Sequence, residues 1–285
     1  MPASGGAQFR TGHSARTSAQ RVLKWSAGVF DRIRPLQRGV VVLAYHRVGE
    51  RSAAVEIELP TSRFDAQLQV LAERGVTCTI DQALTALESP APEGRDPVVV
   101  TFDDGTDDFT DIVVPLLVQH NIPAVIYVAT DFVERGRTFP GSGRPLSWSA
   151  LRDAYATGLV TVGSHSHSHV LFDRIDERSA AAELDRSIDL IGERLGVAPR
   201  HFAYPKALRG NARVGAIVRD RFGSAAVAGT RANRYQRTDV YALARSPVQR
   251  GDGMEWFEAK LAGGLRLEDD VRRLANRVRY AGATT

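Results

Sequence analysis

Apolar runs rich in β-branched residues alternate with amphipathic stretches along most of the chain. Six such runs predict buried strands, at residues 40–45, 97–102, 123–130, 159–165, 201–205 and 224–229. Six stretches with helical periodicity and cap residues lie between or after them, at 64–75, 81–89, 111–119, 147–158, 177–195 and 211–222. The alternation predicts an α/β domain built on parallel strands.

The N-terminal region differs from this pattern. Residues 1–17 are rich in Ser, Gly, Ala, Thr and Arg and predict a disordered tail. Residues 20–34 predict an amphipathic helix with a basic polar side. This helix either packs on the domain or lies on an anionic membrane surface. We therefore divide the chain into a tail with a basic helix (1–37) and a folded domain (38–275).

Composition narrows the class of protein. The chain has 285 residues, 43% of them hydrophobic and 25% charged, as in a soluble globular protein with a sizeable core. The net charge of +4 comes from scattered Arg residues, which argues against nucleic-acid binding. The single cysteine, Cys78, excludes an intrachain disulfide. Neither a membrane-spanning run nor a secretory signal is found, so we expect a cytoplasmic protein, with contact to the inner face of the cell membrane through residues 20–34 as a further hypothesis.

Three of the predicted strands run directly into polar clusters. His46 follows the first, Asp103 and Asp104 follow the second, and the segment 165–169 (His-Ser-His-Ser-His) follows the fourth. In parallel α/β folds the functional groups gather at the carboxyl ends of strands. The three clusters therefore predict one shared site.

The chemistry of these residues suits a metal. Successive side chains of an extended chain point in opposite directions, so one Asp can bind a metal while the other faces substrate; a simple Asp-Asp-Gly turn is the alternative. In a strand all three His of 165–169 share a face, whereas in a helical turn His165 and His169 share one and His167 points away. Two His and one carboxylate are typical of a catalytic metal site, and a free carboxylate can take a proton from water. The set predicts hydrolysis of an amide or ester.

Two motifs carry a resemblance to a known family. Thr101-Phe102-Asp103-Asp104-Gly105 and His165-Ser166-His167-Ser168-His169 resemble the first and second motifs of the polysaccharide deacetylases of carbohydrate esterase family four, the NodB-homology superfamily. Three further segments are similar to the family, namely Tyr45-His46-Arg47-Val48, Leu146-Ser147-Trp148 and Phe202-Ala203-Tyr204-Pro205. The resemblance covers about residues 38 to 257.

The resemblance implies a fold and a set of roles. The fold is a distorted (β/α) barrel of seven strands, and Asp103 is the general base. The ligands of one divalent metal are Asp104, His165 and His169, and Ser166 braces their loop by a hydrogen bond. Zinc suits two His and one Asp, with cobalt, nickel or manganese as alternatives. Further residues that support the site or bind substrate are Tyr204, Pro205 and Trp148, the last by stacking on a sugar unless it only packs at its helix cap.

The chain also departs from the family's fullest pattern. The Arg that often precedes the third motif and orients the catalytic Asp is absent, and no late Leu-x-His supplies a general acid. Another group must then protonate the leaving nitrogen. We name His46 as this catalytic acid, with a structural role as the alternative; the other candidates are His167, Tyr204 and Lys206. The remaining residues His120 and His201 are predicted to be structural.

Three functions remain open at this point. The first is removal of N-acetyl groups from an N-acetylated sugar or polysaccharide. The second is a related hydrolase on the same fold, either an O-acetyl esterase or an amidohydrolase of small molecules. The third is a non-catalytic glycan-binding protein that keeps the metal site, although such a protein has no need of the second carboxylate, Asp103.

Overall fold

The computed structural model describes residues 37–51, 55–141 and 143–264. Nine strands are present in this part of the chain: β1 (Val41–Tyr45), β2 (Arg47–Val48), β3 (Glu58–Leu59), β4 (Val98–Phe102), β5 (Ala124–Val128), β6 (Val160–Ser164), β7 (His201–Ala203), β8 (Ser224–Ala228) and β9 (Leu243–Pro247). Strands β2 and β3 form a small separate sheet, and the other seven close a parallel barrel in chain order. The predicted seven-stranded (β/α) barrel is confirmed.

Helices follow or separate most of the strands. They are α1 (Thr61–Arg74), α2 (Ile80–Glu88), α3 (Val114–His120), α4 (Thr130–Arg135), α5 (Trp148–Ala156), α6 (Glu177–Leu195), α7 (Ala212–Arg221) and α8 (Met254–Leu261). A π-helical turn, Phe109–Val113, leads into α3. None of the helices in the described residues has the length and apolar character needed to span a membrane.

The ends of the helices follow from local chemistry. Thr79 and Gln82 form a capping box at the start of α2, and Asp176 caps α6 by accepting from the amide of Ser179. Gly75 ends α1 in the left-handed conformation that glycine adopts at little cost. All six predicted strands and six predicted helices are present, with boundaries that differ by a few residues.

Two elements near the site were not predicted from the pattern. Strand β9 has the sequence Leu-Ala-Arg-Ser-Pro, which lacks a continuous apolar run although its first four residues are buried. Helix α4 is short and begins at Thr130, where the sequence predicts the end of a strand. Both elements contribute to the site described below.

Apolar residues form separate layers outside and inside the barrel. The outward side chains of β1, β4 and β5 pack against α1, α3 and α5 in the largest cluster. A second cluster joins Val42, Val99 and Tyr127 from the strands to the inner face of α2. Helix α2 therefore closes the end of the barrel at which the strands begin, and leaves the opposite end for the site.

A side chain completes the seam between the first and last barrel strands. Strands β1 and β9 pair directly only near their carboxyl ends, through Leu43 with Ser246 and Ala44 with Pro247. Below this point the amide of Asn233 bridges them, donating to the carbonyl of Ala244 at 2.9 Å and to that of Val40 at 3.2 Å. Its oxygen accepts from the Ala244 amide at 2.8 Å. Asn233 thus holds β9 in register against β1.

Candidate metal and catalytic site

Three potential metal ligands converge at the carboxyl ends of β4 and β6. One carboxylate oxygen of Asp104 and one ring nitrogen each of His165 and His169 all lie within 4.8 Å of one another. The Nε2 atoms of His165 and His169 are 3.7 and 3.4 Å from Oδ1 of Asp104. One carboxylate and two imidazoles around a common point are a donor set that fits a divalent metal.

Uncommon backbone conformations bring these ligands together. Asp104, Ser166 and His169 have φ values of 73°, 65° and 62°, in the left-handed region that non-glycine residues rarely occupy. Such conformations cost on the order of 1–3 kcal/mol each and persist where the surroundings fix them. At Asp104 the left-handed turn follows directly after Asp103, so the two adjacent carboxylates leave the chain in different directions.

A hydrogen bond sets the tautomer of His165. Its Nδ1 lies 2.7 Å from the carbonyl oxygen of Ala203, an acceptor only, so Nδ1 carries the hydrogen. Burial lowers the pKa of His165 to about 4, which keeps the ring neutral. The lone pair of Nε2 then faces Asp104, as a metal ligand requires. This contact explains why the segment from β7 belongs to the site although none of its side chains reaches the ligands.

The middle of the 165–169 segment turns away from the ligands. The Oγ of Ser166 accepts from the backbone amide of His169 at 3.0 Å, which closes the turn. The Nδ1 of His167 instead lies 3.0 Å from the hydroxyl of Thr130 on α4. His165 and His169 therefore share a side while His167 points away, as in the second of the two arrangements considered from the sequence, but the segment is a bend with left-handed Ser166 and His169 and not a helical turn.

Asp103 lies on the other side of the site and is paired with a cation. Arg245 on β9 donates to both carboxylate oxygens, at 2.5 and 2.8 Å, and both residues are buried. Burial alone raises the pKa of Asp103, but the charges of Arg245, His165 and His46 outweigh it and lower the pKa to about 2. The guanidinium also lies over the ring of Tyr127, 5.1 Å from its centroid. Asp103 is therefore an oriented and ionised carboxylate.

The Arg that the third motif lacks has a counterpart elsewhere in the barrel, because Arg245 binds Asp103. An Arg before the third motif would lie on β7, whereas Arg245 lies on β9. Arg245 occupies an inward position of β9. Because the sequence of this strand has no continuous apolar run, the pattern predicted neither the strand nor a role for Arg245. The useful indication would have been the alternation of Leu243, Arg245 and Pro247 with small residues, which is a strand pattern with one charged inward position.

The four acid candidates differ in position. The Nε2 of His46 lies 3.8 Å from Oδ2 of Asp103, and a quarter of its side chain is exposed. His167 is turned toward Thr130, and Lys206 is exposed. Tyr204 is 1% exposed, with its ring edge against those of Phe172 and Phe202. His46 is the candidate that the structure brings next to Asp103.

The predicted supporting residues lie around the site rather than in it. The buried ring of Tyr204 cannot contact a substrate, which leaves its supporting role, and Pro205 is buried at the start of a 3₁₀ turn. Trp148 is half-buried at the first position of α5, and its indole N–H donates to Glu134 at 2.7 Å. This contact matches packing at the helix cap.

The two His residues predicted to be structural lie away from the ligand cluster. His120 contacts Asp65 at 2.7 Å at the end of α3, where a helix C-terminus favours positive charge. His201 is buried at the start of β7, with Nδ1 3.0 Å from the hydroxyl of Ser224. Since β7 begins at the end of the barrel that α2 closes, His201 cannot reach the site.

Comparisons with known proteins agree with this geometry. Residues 91–220 match the family model described as polysaccharide deacetylase. The chain resembles IcaB from Ammonifex degensii (27% identity, TM-score 0.67, covering 80% of this chain and 98% of that one). It shares its fold with the deacetylase PplD of Streptococcus pyogenes in complex with acetate (18% identity, TM-score 0.69, 79% and 99% covered) and with the BpsB deacetylase domain of Bordetella bronchiseptica (21%, 0.60, 73% and 95%). Among curated protein sequences there is no significant match.

Proposed function

We propose that this chain, in which residues 91–220 match the polysaccharide deacetylase family model, is a metal-dependent hydrolase of that family that removes N-acetyl groups from an N-acetylated sugar or polysaccharide. The observation that carries the proposal is the convergence of Asp104, His165 and His169 beside a separate, Arg-bound carboxylate, Asp103. A pure binding site would use the three ligands and would have no need of the fourth group. Hydrolysis needs both.

We assign the metal to the three converging side chains. One carboxylate and two imidazoles suit zinc best, with cobalt, nickel and manganese as alternatives. A divalent metal bound there supplies a Lewis acid, which polarises the acetyl carbonyl and lowers the pKa of water. The neutral ring of His165, fixed by Ala203, and the carboxylate of Asp104 are already in the protonation states that such a metal binds.

In this proposal Asp103 takes the proton from the attacking water. The bidentate pair with Arg245 fixes the plane of its carboxylate and keeps it ionised at neutral pH. A carboxylate with a pKa of about 2 is a weak base, so the reaction needs a water whose own pKa is lowered. The water oxygen then bonds to the carbonyl carbon, and its proton passes to Asp103.

His46 completes the reaction as the proposed acid. The carbon–nitrogen bond breaks to give acetate and a free amine, and the nitrogen must gain a proton as it leaves. Imidazole is the side chain that most often transfers a proton in general acid–base catalysis. The Nε2 of His46 lies 3.8 Å from Oδ2 of Asp103, the proposed base, which supports the assignment.

An assay of acetate release tests the function. The full-length protein is incubated with acetylated chito-oligosaccharides and, separately, with acetylxylan, each with and without chelator. We expect release from the chito-oligosaccharides that chelator abolishes and added zinc restores. Release from acetylxylan alone would instead favour an O-acetyl esterase. Metal binding without release from either substrate would favour a glycan-binding protein.

We also propose that residues 20–34 hold the protein at an anionic membrane surface. This segment lies outside the described residues, so the proposal rests on its sequence, an apolar face together with Arg21, Lys24, Arg32 and Arg34. Each basic side chain contributes about 1 kcal/mol near such a surface. Deletion of residues 1–34 should abolish sedimentation with vesicles that contain phosphatidylserine, and unchanged sedimentation would remove this proposal.

A further inference from the structure

The two proposed His ligands belong to one five-residue loop, 165–169, whose shape sets their separation. His165 is fixed through its own ring by the carbonyl of Ala203. His169 follows two residues that point away from the ligands, His167 and Ser168. The position of His169 therefore depends on what holds these two residues.

Helix α4 holds the loop from one side. The backbone amides of Thr130 and Asp131 donate to the carbonyls of Ser166 and His167, at 3.3 and 2.8 Å. The ring of His167 lies between their side chains, with Nδ1 3.0 Å from the Thr130 hydroxyl and Nε2 3.6 Å from the Asp131 carboxylate. Asp131 is 3% exposed and is itself held by Arg135 and Arg137.

The same start of α4 also touches the loop that carries Asp104. The amide of Ala129 donates to the carbonyl of Asp104 at 2.9 Å. Residues 129–131 thus bond to both ligand loops through consecutive backbone amides. These hydrogen bonds fix the position of the Asp104 loop relative to the 165–169 loop, in addition to the contacts that shape each loop internally.

Helix α6 holds the loop at Ser168. Glu183 accepts two hydrogen bonds from Ser168, from the backbone amide at 2.8 Å and from the hydroxyl at 2.6 Å. Charge-assisted bonds of this kind are stronger than neutral ones. Ser168 directly precedes His169, whose left-handed φ of 62° needs support from its neighbours.

We propose that Asp131 and Glu183, neither of which is a ligand, are positioning residues that set the metal affinity of the site by clamping His167 and Ser168. The inference rests on the proposed metal site. Loss of a group that is hydrogen-bonded to a metal ligand typically weakens metal binding by about 10- to 100-fold. Asp131 and Glu183 contact residues next to the proposed ligands, so we expect effects at the lower end of this range. The spacer residues of the His motif thereby acquire a function that ligand spacing alone does not assign to them.

The experiment measures zinc affinity of the full-length protein by competition with a chromogenic chelator. We expect Asp131→Ala and Glu183→Ala each to weaken zinc binding by about tenfold or more, and Glu183→Gln, which keeps one acceptor for Ser168, to recover part of the loss. The matched controls lie on the same two helices. Glu134→Ala on α4 removes contacts to Trp148 and Arg194, and Asp185→Ala on α6 removes a pair with Arg221; both should bind zinc normally.

A second measurement separates positioning from general destabilisation. Metal-free variants should melt near the temperature of their controls, whereas the increase in Tm on adding zinc should be smaller, since this increase follows from affinity. If Asp131→Ala does not fold, Thr130→Val tests the same clamp by removing one hydroxyl, and it should weaken zinc binding to a smaller degree.

The outcomes distinguish this inference from the proposed function. Normal zinc affinity in the clamp variants, or equal losses in the controls, would overturn the inference while leaving the metal site intact. A protein that fails to bind zinc, or an Asp104→Asn variant that binds it as tightly as the unchanged protein, would overturn the proposed function itself.

Discussion

The site has two sides that begin at adjacent residues and differ in their partners. On the Asp103 side the carboxylate is bound by the guanidinium of Arg245, with His46 nearby. On the Asp104 side the partners are the rings of His165 and His169. Burial raises the pKa of both carboxyls, but other interactions outweigh it and lower both pKa values. At Asp103 the main opposing interaction is the charge of Arg245. At Asp104 it is a hydrogen bond from His169, together with the charges of the nearby His residues.

The difference between the partners separates the roles. A guanidinium is a permanent cation and occupies both oxygens of Asp103, so that carboxylate is orientated but cannot also serve as the main metal ligand. Imidazole rings such as His165, neutral and with a free Nε2, instead offer lone pairs alongside the Asp104 oxygen. A divalent cation would therefore meet three potential ligands on the Asp104 side and a fixed positive charge on the Asp103 side.

The largest expected effects test this division directly. Asp104→Asn should abolish tight zinc binding and activity together, because it removes the charged ligand. Asp103→Asn should keep the zinc content and lose activity on the order of 10²-fold or more, because it removes the base. Zinc content by elemental analysis and acetate release from chito-oligosaccharides, measured on the same preparations, check the prediction.

The division of roles between Asp103 and Asp104 would be contradicted if both substitutions had the same effect on zinc content. Equal loss of zinc in Asp103→Asn and Asp104→Asn would mean that the Arg245 pair does not keep Asp103 out of the metal site. The Asp107→Asn variant provides a control, since Asp107 is a nearby carboxylate that pairs with Arg51 and Arg144 at the surface. It should retain both zinc and activity.

An intermediate effect is expected at His46, which sharpens the description of the Asp103 side. His46→Ala should reduce turnover of an acetamide by about 10²-fold, since amine departure requires a proton. Turnover of an activated acetyl ester, whose leaving group needs no proton, should fall much less. The measurement is kcat for both substrates at one pH, and equal losses on the two would show that His46 positions substrate or the strand end instead.

The Asp104 side was more predictable from the sequence than the Asp103 side. Its proposed ligands, Asp104, His165 and His169, lie in two short motifs. Each motif directly follows a continuous apolar strand, so local pattern and chemistry coincide there. The strands and helices that support them were predictable for the same reason, since continuous burial and cap residues are local properties. The pairing of Asp103 with Arg245 could not be predicted from a local pattern, because the two residues are 142 positions apart in the sequence.

Tertiary structure decided the remaining features. Strand β9 forms because Asn233 and β8 hold it in place, although its own sequence has little strand character. The orientation of His167 toward Thr130 depends on the start of α4, which follows a strand without any sequence break. The family model likewise covers residues 91–220 and so includes the three proposed ligands but neither His46 nor Arg245.

The smallest loss of activity at neutral pH is expected for Arg245→Met, for which the direction of the shift in the pH profile is the most informative result. With the guanidinium removed, burial, which raises the pKa of Asp103, is no longer offset by its main opposing charge. The pKa should rise from about 2, yet the carboxyl should remain largely ionised at pH 7, so we expect a loss of about tenfold there from poorer orientation. The acid limb of kcat/KM should move to higher pH, with zinc content checked at each point.

The same substitution has a defined effect on stability. In the unchanged protein the pKa of Asp103 lies below the value of about 3.9 in an unfolded chain. The pair therefore stabilises the fold fully above that value, and the contribution is lost as the pH falls toward about 2. The difference in free energy of unfolding between the unchanged protein and Arg245→Met should be largest near neutral pH and should shrink on acidification.

Arg245→Lys keeps the charge but not the two-pronged contact, so it should restore this pH dependence more than the catalytic rate. If instead Arg245→Met leaves the acid limb of kcat/KM unshifted and the difference in free energy of unfolding is the same at every pH, Arg245 only packs in the barrel. The two sides of the site would then not differ in the electrostatic way described.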